Sequence, residues 1–321
     1  MATSRPSSEF RFAVITDLHC AWHYLEAFIT WVKQTDHPRV DAVFVAGDML
    51  NVSHEPNNQH LAHLTGATMD PPTKSSELPT DSTADTQDYV QLLQKLDTLG
   101  IPVYVIPGNH DLWGAYNHDS PIWKNASYPN VHYAHGEVSQ LTPPDLWLAG
   151  LGGSTPVILK HRPAETVWDG FPYNESSLAA DLAFVQSRLE CTQTGVDRST
   201  ASVVWLTHVG PSDCDTSCVN RDSRLAPSNE EEFGSQALRT HLVTLDQHPW
   251  LTNALLVHGH AHGAWGLAHL GPLRVLNPGA LRDGRFAVVT LRRPLLESES
   301  STWQIHSCLF QCLDAEPCPT K

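Results

Sequence analysis

Three histidines lie close together in the segment VHGHAHGAW, as His258, His260 and His262. In a locally extended segment, residues two apart point the same way, so His260 and His262 can face one site together. Imidazole nitrogens bind transition metals and also transfer protons near neutral pH. A solvated polar turn can have the same composition, so this spacing alone does not establish a metal site.

Further carboxylate, amide and imidazole side chains occur in four short polar segments, DLH, GD, GNHD and TH. Each segment directly follows an apolar run. The side chains that these segments contribute are Asp17, His19, Asp48, Asn109, His110, Asp111 and His208. Taken singly, each has an ordinary explanation, since Asp is a favoured helix N-cap and Asn a favoured turn residue.

The elements before and after these segments alternate between strands and helices. FRFAVITD at 10–17 and VDAVFVAGD at 40–48 have the pattern of buried strands, and a third strand ends at Pro107. Apolar residues recur at helical spacing in 20–34 and in 88–100. Further elements are predicted as a helix at 175–190, a strand at 202–207, a loop at 209–233, a helix at 234–247, a strand at 254–258 and antiparallel strands with glycine turns over 267–293.

This alternation predicts an α/β fold with parallel strands, whose carboxyl ends gather at one edge of the sheet. The polar segments would then meet there. Their donors are oxygen and nitrogen atoms, which suit Mn, Fe or Zn better than Cu(I) or an iron–sulfur cluster. The number of ligands favours two ions, and a carboxylate such as Asp48 can bridge ions about 3.5–4 Å apart.

The ordered series D-x-H, G-D, G-N-H-D, a lone His after a strand, and G-H-x-H resembles the calcineurin-like metallophosphoesterase superfamily. The series extends over residues 17–262. Downstream, NPGALRDGRFAVVTL is similar to the strand pair that closes the fold in small bacterial and archaeal members. The resemblance implies a four-layer α/β/β/α sandwich, in which two mixed sheets are flanked by helices within a single domain.

The resemblance also implies a role for each polar residue. One ion would be held by Asp17, His19 and His262, the other by Asn109, His208 and His260, with Asp48 bridging the two. His110 would face the substrate, and Asp111 would orient it. The family often has a further acidic residue after G-D, where this chain has Met49, Leu50 and Asn51. His258 precedes the family pattern, so we expect it not to be a ligand but either to support the ligands from behind or to be a buried strand-end histidine.

The implied reaction is hydrolysis of a phosphomonoester or phosphodiester by in-line attack of a metal-bridging hydroxide, with His110 as the general acid. The expected cofactors are two divalent or mixed-valence metal ions, with Mn, Fe or Zn preferred. One alternative is a phosphoesterase-like scaffold or binding protein with weak activity. Another is a nuclease or a cyclic-nucleotide phosphodiesterase.

Charge and composition restrict the partners. The chain has 321 residues and a formal net charge of −15, without a block of Lys and Arg. This argues against binding to extended nucleic acid or to a membrane surface, and favours a small phosphoester as the partner. The N-terminal residues lack the apolar core of a signal peptide, and no apolar run is long enough to span a membrane. We therefore expect a cytoplasmic protein, with its oligomeric state open.

The predicted organisation is a tail at 1–9, one domain at 10–293 and an extension at 294–321. A polar insertion at about 51–87 and a cap loop at about 209–233 lie within the domain. The odd number of cysteines, 7, favours reduced thiols. The last three, Cys308, Cys312 and Cys318, are either ligands of a structural zinc or free thiols on a terminal strand.

Two groups of residues have two interpretations each. The first group follows GNHD and lines a substrate pocket, or else Trp113 only packs in the fold; the group contains Trp113, Tyr116, Asn117 and His118. The second group either contacts phosphate or is simply exposed; it contains His161, Arg162, Arg221 and Arg224.

Overall fold

The protein is represented by a computed structural model that describes residues 9–54, 81–124, 127–143, 145–192, 201–219, 230–245, 252–293 and 302–313. In this part of the chain the strands form two large sheets and one small sheet. The first large sheet has the spatial order β16 (Gln304–Cys312), β15 (Arg285–Arg292), β1 (Glu9–Ile15), β2 (Ala42–Ala46), β3 (Val103–Ile106) and β4 (Val131–Tyr133). The second has the order β13 (Gly266–Leu270), β14 (Leu273–Asn277), β12 (Thr252–Val257), β9 (Ser202–Thr207), β6 (Leu146–Leu151) and β5 (Val138–Gln140).

Both large sheets are mixed. In the first, β1, β2, β3 and β4 are parallel, while β15 and β16 form antiparallel pairs at the other edge. In the second, β14, β12, β9 and β6 are parallel, and β13 and β5 are antiparallel edge strands. The small sheet has the order β10 (Cys218–Val219), β11 (Glu231–Glu232), β7 (Val157–Leu159) and β8 (Arg162–Trp168).

Side-chain alternation along the strands creates the layers. On β1, Phe12 and Val14 point into the core between the two large sheets, whereas Ala13 and Ile15 point to the helices outside the first sheet. The ring of Phe12 lies 4.4 Å from the ring of Phe44 on β2, centre to centre, within the core between the sheets. Burying one such side chain contributes about 1.5–3 kcal/mol, so this layer stabilises the packing of the two sheets.

Helices cover the outer faces of both large sheets. They are α1 (Trp22–Lys33), α2 (Thr83–Asp97), α3 (Trp113–Tyr116), α4 (Pro121–Lys124), α5 (Glu175–Thr192) and α6 (Gln236–Leu245). Leu25 of α1 and Leu92 of α2 belong to the core outside the first sheet, and Leu182 of α5 and Leu242 of α6 belong to the core outside the second. The predicted four-layer α/β/β/α sandwich is therefore confirmed.

Helix α2 begins earlier than the sequence pattern indicates. Its N-cap is Ser82, whose side chain accepts a hydrogen bond from the backbone N–H of Asp85. The first turn therefore lies within the segment predicted as a polar insertion, because polar capping residues hide the helical period there. The rest of that insertion, residues 55–80, lies outside the described residues.

The C-terminal strands are antiparallel, as predicted, but they divide between the two large sheets. β13 and β14 form an antiparallel hairpin, as expected, but β15 leaves the second sheet and pairs with β1 in the first. A 3-10 turn at Leu281–Asp283 redirects the chain and ends at Gly284, whose φ of 75° is left-handed. The sequence shows a glycine turn there but not which sheet the next strand joins.

β16 comes from the region predicted as a C-terminal extension, and it forms the edge of the first sheet. Just before it, the backbone N–H of Trp303 donates to Ser202 Oγ, and the Trp303 indole donates to Asp145 Oδ1 at 3.0 Å. These bonds connect the C-terminal hairpin to the second sheet. Cys308 and Cys312 are free thiols on this strand, whereas Cys318 lies outside the described residues.

Candidate two-metal site

The ligand candidates follow strands from both large sheets. They are Asp17 and His19 after β1, Asp48 after β2, Asn109 after β3, His208 after β9, and His260 and His262 after β12. Backbone hydrogen bonds connect these loops, including Asp17 N–H to Gly47 O and Gly259 N–H to His208 O, each at 3.0 Å. The carboxyl ends of both sheets therefore meet at one place, as the alternation of strands and helices predicted.

The backbone is strained at four of these residues. Asp17, His19, Asp48 and His260 have φ angles of 53°, 45°, 54° and 66°, in the left-handed region that non-glycine residues rarely adopt. Such conformations cost on the order of 1–3 kcal/mol each and are concentrated at functional sites. The strain is held by tertiary contacts such as the bond from His19 N–H to Asp48 O at 3.0 Å.

The first group of ligand atoms comes from Asp17, His19, Asp48 and His262, and these atoms all lie within 4.8 Å of one another. His262 Nε2 is 3.1 Å from Asp17 Oδ1 and 3.2 Å from His19 Nε2. His19 Nε2 is 3.6 Å from Asp48 Oδ2. Two carboxylates and two imidazoles thus face a common centre.

The second group contains Asp48, His208 and His260, whose ligand atoms also lie within 4.8 Å of one another. Asn109 joins this group, because its Oδ1 lies 2.9 Å from His208 Nε2. Asp48 belongs to both groups, with Oδ2 3.4 Å from His208 Nε2. The seven predicted ligands are therefore brought together in the arrangement that the resemblance implied, with Asp48 between the two groups.

The unpaired polar atoms of the cluster fit metal ions. Asp48 Oδ2, His260 Nε2 and His19 Nδ1 are buried and have no hydrogen-bond partner among the described residues. Leaving such atoms unpaired costs about 1–3 kcal/mol each, and more for a charged group. A divalent ion would satisfy the first two, and the oxygen and nitrogen donors suit Mn, Fe or Zn.

The protonation states also suit metal binding. Burial opposes ionisation of Asp48, but the surrounding imidazoles, His208 first, hold its pKa well below the ordinary value. Burial likewise opposes ionisation of Asp17, and His262 lowers its pKa to about 2. Burial lowers the pKa of His260 to about 3, so that this imidazole is neutral. For His208, burial lowers the pKa but the charge of Asp48 raises it more, so that the net value is about 9. A metal ion bound here would replace the proton that Asp48 stabilises on the His208 ring.

His110 is held beside the shared carboxylate. Its backbone N–H donates to Asp48 Oδ1 at 2.7 Å, its Nδ1 lies 3.1 Å from Val52 O, and its ring lies 5.3 Å from the ring of His19. The carbonyl of Val52 therefore orients the imidazole next to the ligand candidates.

Asp111 does not orient His110, contrary to the expectation. Its two carboxylate oxygens accept the backbone N–H groups of Leu50 and Gly108, at 2.9 and 2.8 Å. Burial, reinforced by the charge of Asp48, raises the pKa of Asp111 to about 7 despite these two donors. Asp111 thus joins the loop after β2 to the loop after β3, which positions the ligands that follow both strands.

Gly108 permits the close approach of these two loops. A Cβ atom at this position would lie 2.2 Å from Asp48 Oδ1 and 2.7 Å from His208 Cε1. Only glycine leaves room for the shared carboxylate and for the imidazole from the opposite sheet. The phenol of Tyr116 donates to the carbonyl of Gly108 at 2.8 Å and supports the loop from behind.

His258 lies outside both ligand groups and is completely buried. Its Nε2 is 2.9 Å from Thr216 Oγ1, and its Nδ1 is 2.9 Å from Gly259 O. Both ring nitrogens thus have protein partners, which fits the expected strand-end histidine. These bonds fix the start of the turn that carries His260 and His262.

Of the four candidate residues after GNHD, Trp113 and Tyr116 pack in the fold beside the site. Tyr116 is buried, and Trp113 and Tyr116 both contact the ring of Phe171 edge-on, at 4.9 and 5.7 Å. His118 lies against Tyr133. Packing is therefore the better interpretation for Trp113 and Tyr116, whereas Asn117 and His118 are exposed. His161 and Arg162 are exposed at the β7–β8 hairpin, and Arg221 and Arg224 lie outside the described residues.

Sequence reasoning missed two residues near the site. His54 stacks on Phe171, and its Nε2 lies 2.7 Å from Asp111 O. Arg282 donates its backbone N–H to the carbonyl of Asp17 at 3.2 Å. Neither residue could be recognised from the sequence. His54 does not follow an apolar strand as the predicted ligands do, and Arg282 lies in a glycine turn that is far from every predicted ligand in sequence.

Comparison with known proteins identifies a family and similar folds. The profile of the calcineurin-like phosphoesterase family matches residues 10–264, more than half of the chain. TT1561 of Thermus thermophilus is similar in fold, with 14% identity, coverage of 95% of this chain and 99% of that chain, and a TM-score of 0.52. A dimetal phosphatase from Danio rerio aligns with 12% identity, covering 95% and 99% of the two chains, with a TM-score of 0.46. No curated protein sequence gives a significant match.

No helix in the described ranges is long and apolar enough to cross a membrane. The family match, the order of the five polar segments and the convergence of their side chains on one site lead to the same assignment. The chain belongs to the calcineurin-like phosphoesterase family.

Proposed function

We propose that this protein hydrolyses a small phosphoester, a monoester or a diester, with two metal ions bound by the two ligand groups. The observation that carries the proposal is that both groups share Asp48, and that His110 is bonded to the same carboxylate through its backbone. Two divalent ions bound there would activate water and neutralise the charge of the phosphoester.

The protein's own residues supply the proton. Val52 O engages Nδ1 of His110, and the structure assigns no partner within the described residues to Nε2. Nε2 is therefore the nitrogen available to protonate the oxygen of the leaving group. His110 is partly exposed, which allows contact with a substrate.

The charge of the site explains how an acidic protein attracts a phosphoester. The cluster has two carboxylates, Asp17 and Asp48, against four positive charges if both ions are divalent. The site would then be positive within a chain of formal net charge −15. A small substrate can respond to this local charge, whereas an extended nucleic acid would meet the acidic surface as well.

The test is hydrolysis by the purified full chain after loading with Mn²⁺, Zn²⁺ or Fe²⁺ in parallel. Suitable substrates are p-nitrophenyl phosphate, bis(p-nitrophenyl) phosphate and an alkyl phosphomonoester, with bound metal measured by elemental analysis. We expect about two ions per chain and turnover of at least one ester. A chain that binds neither metal nor cleaves any ester would refute the proposal, and two ions without turnover would support a binding scaffold.

The role of His110 is tested by His110→Gln, with His306→Gln as the control because His306 is exposed on β16. His110→Gln should keep its metal and lose about 10²–10⁴-fold in kcat for the alkyl ester. The loss should be smaller for p-nitrophenyl phosphate, because p-nitrophenolate leaves without protonation. Equal loss of metal and activity would mean that His110 supports the ligands and does not transfer the proton.

A further inference from the structure

The side chain of Phe233 contacts the second ligand group directly. Its ring lies edge-on to the imidazole of His260, with the two ring centres 5.4 Å apart. The other ring contacts of the ligand imidazoles, among the described residues, are with imidazoles of the site itself, such as His208 with His260 and His19 with His110. In the part of the chain that the structure describes, Phe233 is therefore the one apolar ring that borders a ligand ring.

The backbone around Phe233 is fixed relative to the ligands. Phe233 N–H donates to Ser217 O at 3.0 Å, and Ser235 N–H donates to Gly210 O at 2.8 Å. Gly210 follows the ligand His208 by two residues, so the second bond connects this segment to the end of β9. The ring of Phe233 thus has a defined position beside the site.

The two neighbours of Phe233 in sequence face a different region of the molecule. Glu232 and Gly234 are buried and line a cavity of about 560 Å³, together with Ile158 and Thr166 of the small sheet. Phe233 does not line this cavity, and its ring is only partly buried. An apolar ring that touches a ligand and keeps exposed surface is positioned to contact a molecule bound at the metal site.

We propose that Phe233 contacts the organic group of the substrate, and that the protein therefore prefers phosphoesters whose organic group is an apolar ring. This inference rests on the proposed function, since it names the substrate class for the same site. A phosphate bound by both ligand groups would lie next to His260, so the organic group attached to it would come within reach of the Phe233 ring. Contact between apolar surfaces removes both from water, and two rings attract each other further when they meet edge-on or offset.

The direct test is calorimetric titration of the Mn²⁺-loaded full chain with phenylphosphonate and with methylphosphonate, at a pH where both are dianions. The two probes present the same charge to the metal ions and differ in their organic group. We expect wild type to bind phenylphosphonate about tenfold more tightly than methylphosphonate. In Phe233→Ala this ratio should fall to about twofold, while the affinity for methylphosphonate and the metal content stay equal to those of wild type.

Phe184→Ala is the matched control. Phe184 is also a partly buried phenylalanine, but it lies on α5, outside the second sheet, where Arg188 lies over its ring. This variant should keep the wild-type ratio of the two affinities. Phe233→Leu retains an apolar side chain at the site but removes the ring, so its ratio should lie between those of wild type and Phe233→Ala.

A ratio in Phe233→Ala equal to that in Phe184→Ala would overturn the inference. Loss of metal, or equal weakening of both phosphonates, would also overturn it, because the ring would then only hold His260 in place. If Phe233→Ala does not fold, Phe233→Leu decides by the same criteria. If wild type binds the two phosphonates equally or not at all, the inference fails even when esters are cleaved. A preference for phenylphosphonate that depends on Phe233, without turnover of any ester, would support the inference and refute the proposed hydrolysis.

Discussion

Nε2 of His208 lies 3.4 Å from Oδ2 of Asp48, although the two residues follow strands of different sheets. The same imidazole approaches Ala46 O through Nδ1 at 2.7 Å, and that bond fixes the ring so that Nε2 faces the carboxylate. Asp48 Oδ2 has no hydrogen-bond partner in the part of the chain that the structure describes, and it belongs to both ligand groups. The two groups therefore depend on one carboxylate oxygen more than on any single imidazole.

Asp48→Asn should reduce the bound metal from about two ions per chain to one or none. The amide keeps the shape of the side chain but removes the negative charge that both ions would share. Elemental analysis after gel filtration gives the stoichiometry, and calorimetry gives the affinity. Asp119→Asn is the control, because Asp119 is exposed and forms a surface pair with Lys124. Retention of two tightly bound ions by Asp48→Asn would contradict the bridging role.

Asp111→Asn should destabilise the fold without changing the pH profile of kcat, because the Asp111 carboxylate bonds to backbone N–H groups and not to the His110 ring. One carboxylate oxygen becomes an NH2 group that faces the N–H of Leu50 or Gly108, so a buried donor loses its acceptor at a cost of about 1–3 kcal/mol. Urea unfolding measures this cost, and the pH profile of kcat tests the link to His110. A variant as stable as wild type, with a shifted pH profile, would restore the orienting role that the sequence predicted for Asp111.

The convergence of the ligand candidates could be predicted from the sequence because each candidate lies in a loop that follows a strand. The prediction of a strand at 202–207 agrees with β9, and parallel strands end at the same edge whatever the details of their packing. Once the strands are known, the positions of Asp48 and His208 follow to within a few residues. The resemblance to a family then supplied the division of ligands between two ions.

Other features depend on contacts that sequence patterns do not encode. The partner of Asp111 was mispredicted because a carboxylate next to a histidine in sequence can equally bond to backbone N–H groups that arrive from another loop. Strands β10 and β11 have two residues each, too few to show an alternating pattern. Arg282 approaches the site only because β15 changes sheets, which is a property of topology.

Gly259→Ala should disrupt the turn that carries His260 and His262. A Cβ at this position would lie 1.9 Å from Thr16 Oγ1 and 2.8 Å from Asp17 Oδ2, which requires β1 and the turn to separate. We expect a loss of about 1–3 kcal/mol in the free energy of unfolding, together with weaker metal binding. Thermal unfolding with and without Mn²⁺ measures both effects.

Gly263→Ala, in the same turn, is the matched control for Gly259→Ala. Its Cβ would meet only side-chain atoms of Val219, the nearest at 3.2 Å, which can move slightly. Gly263→Ala should therefore bind metal as wild type does. Equal loss of metal by both variants would show that metal binding depends on the flexibility of the turn and not on its close contact with Thr16 and Asp17.

His241→Leu should make the protein more resistant to acid. His241 on α6 packs edge-on against Trp205, with ring centres 5.5 Å apart, and its Nε2 is buried without a hydrogen-bond partner among the described residues. Burial lowers its pKa from the ordinary value of 6.5 to about 4. Between these two pH values the unfolded chain binds a proton that the folded chain does not, so stability falls as the pH falls from 6.5 to 4. Through His241, the wild type loses about 2 kcal/mol of unfolding free energy between neutral pH and pH 5, and leucine removes this loss.

The measurement for His241→Leu is the free energy of unfolding in urea at pH 7 and at pH 5, followed by tryptophan fluorescence. A chelator should be present, so that loss of metal at low pH does not contribute. His306→Leu is the control, since His306 is exposed and its replacement should leave the difference between the two pH values unchanged. Because wild type carries other buried histidines, such as His258, the variant should retain part of the acid sensitivity. An unchanged pH dependence in His241→Leu would mean that His241 is hydrated or becomes exposed before the chain unfolds.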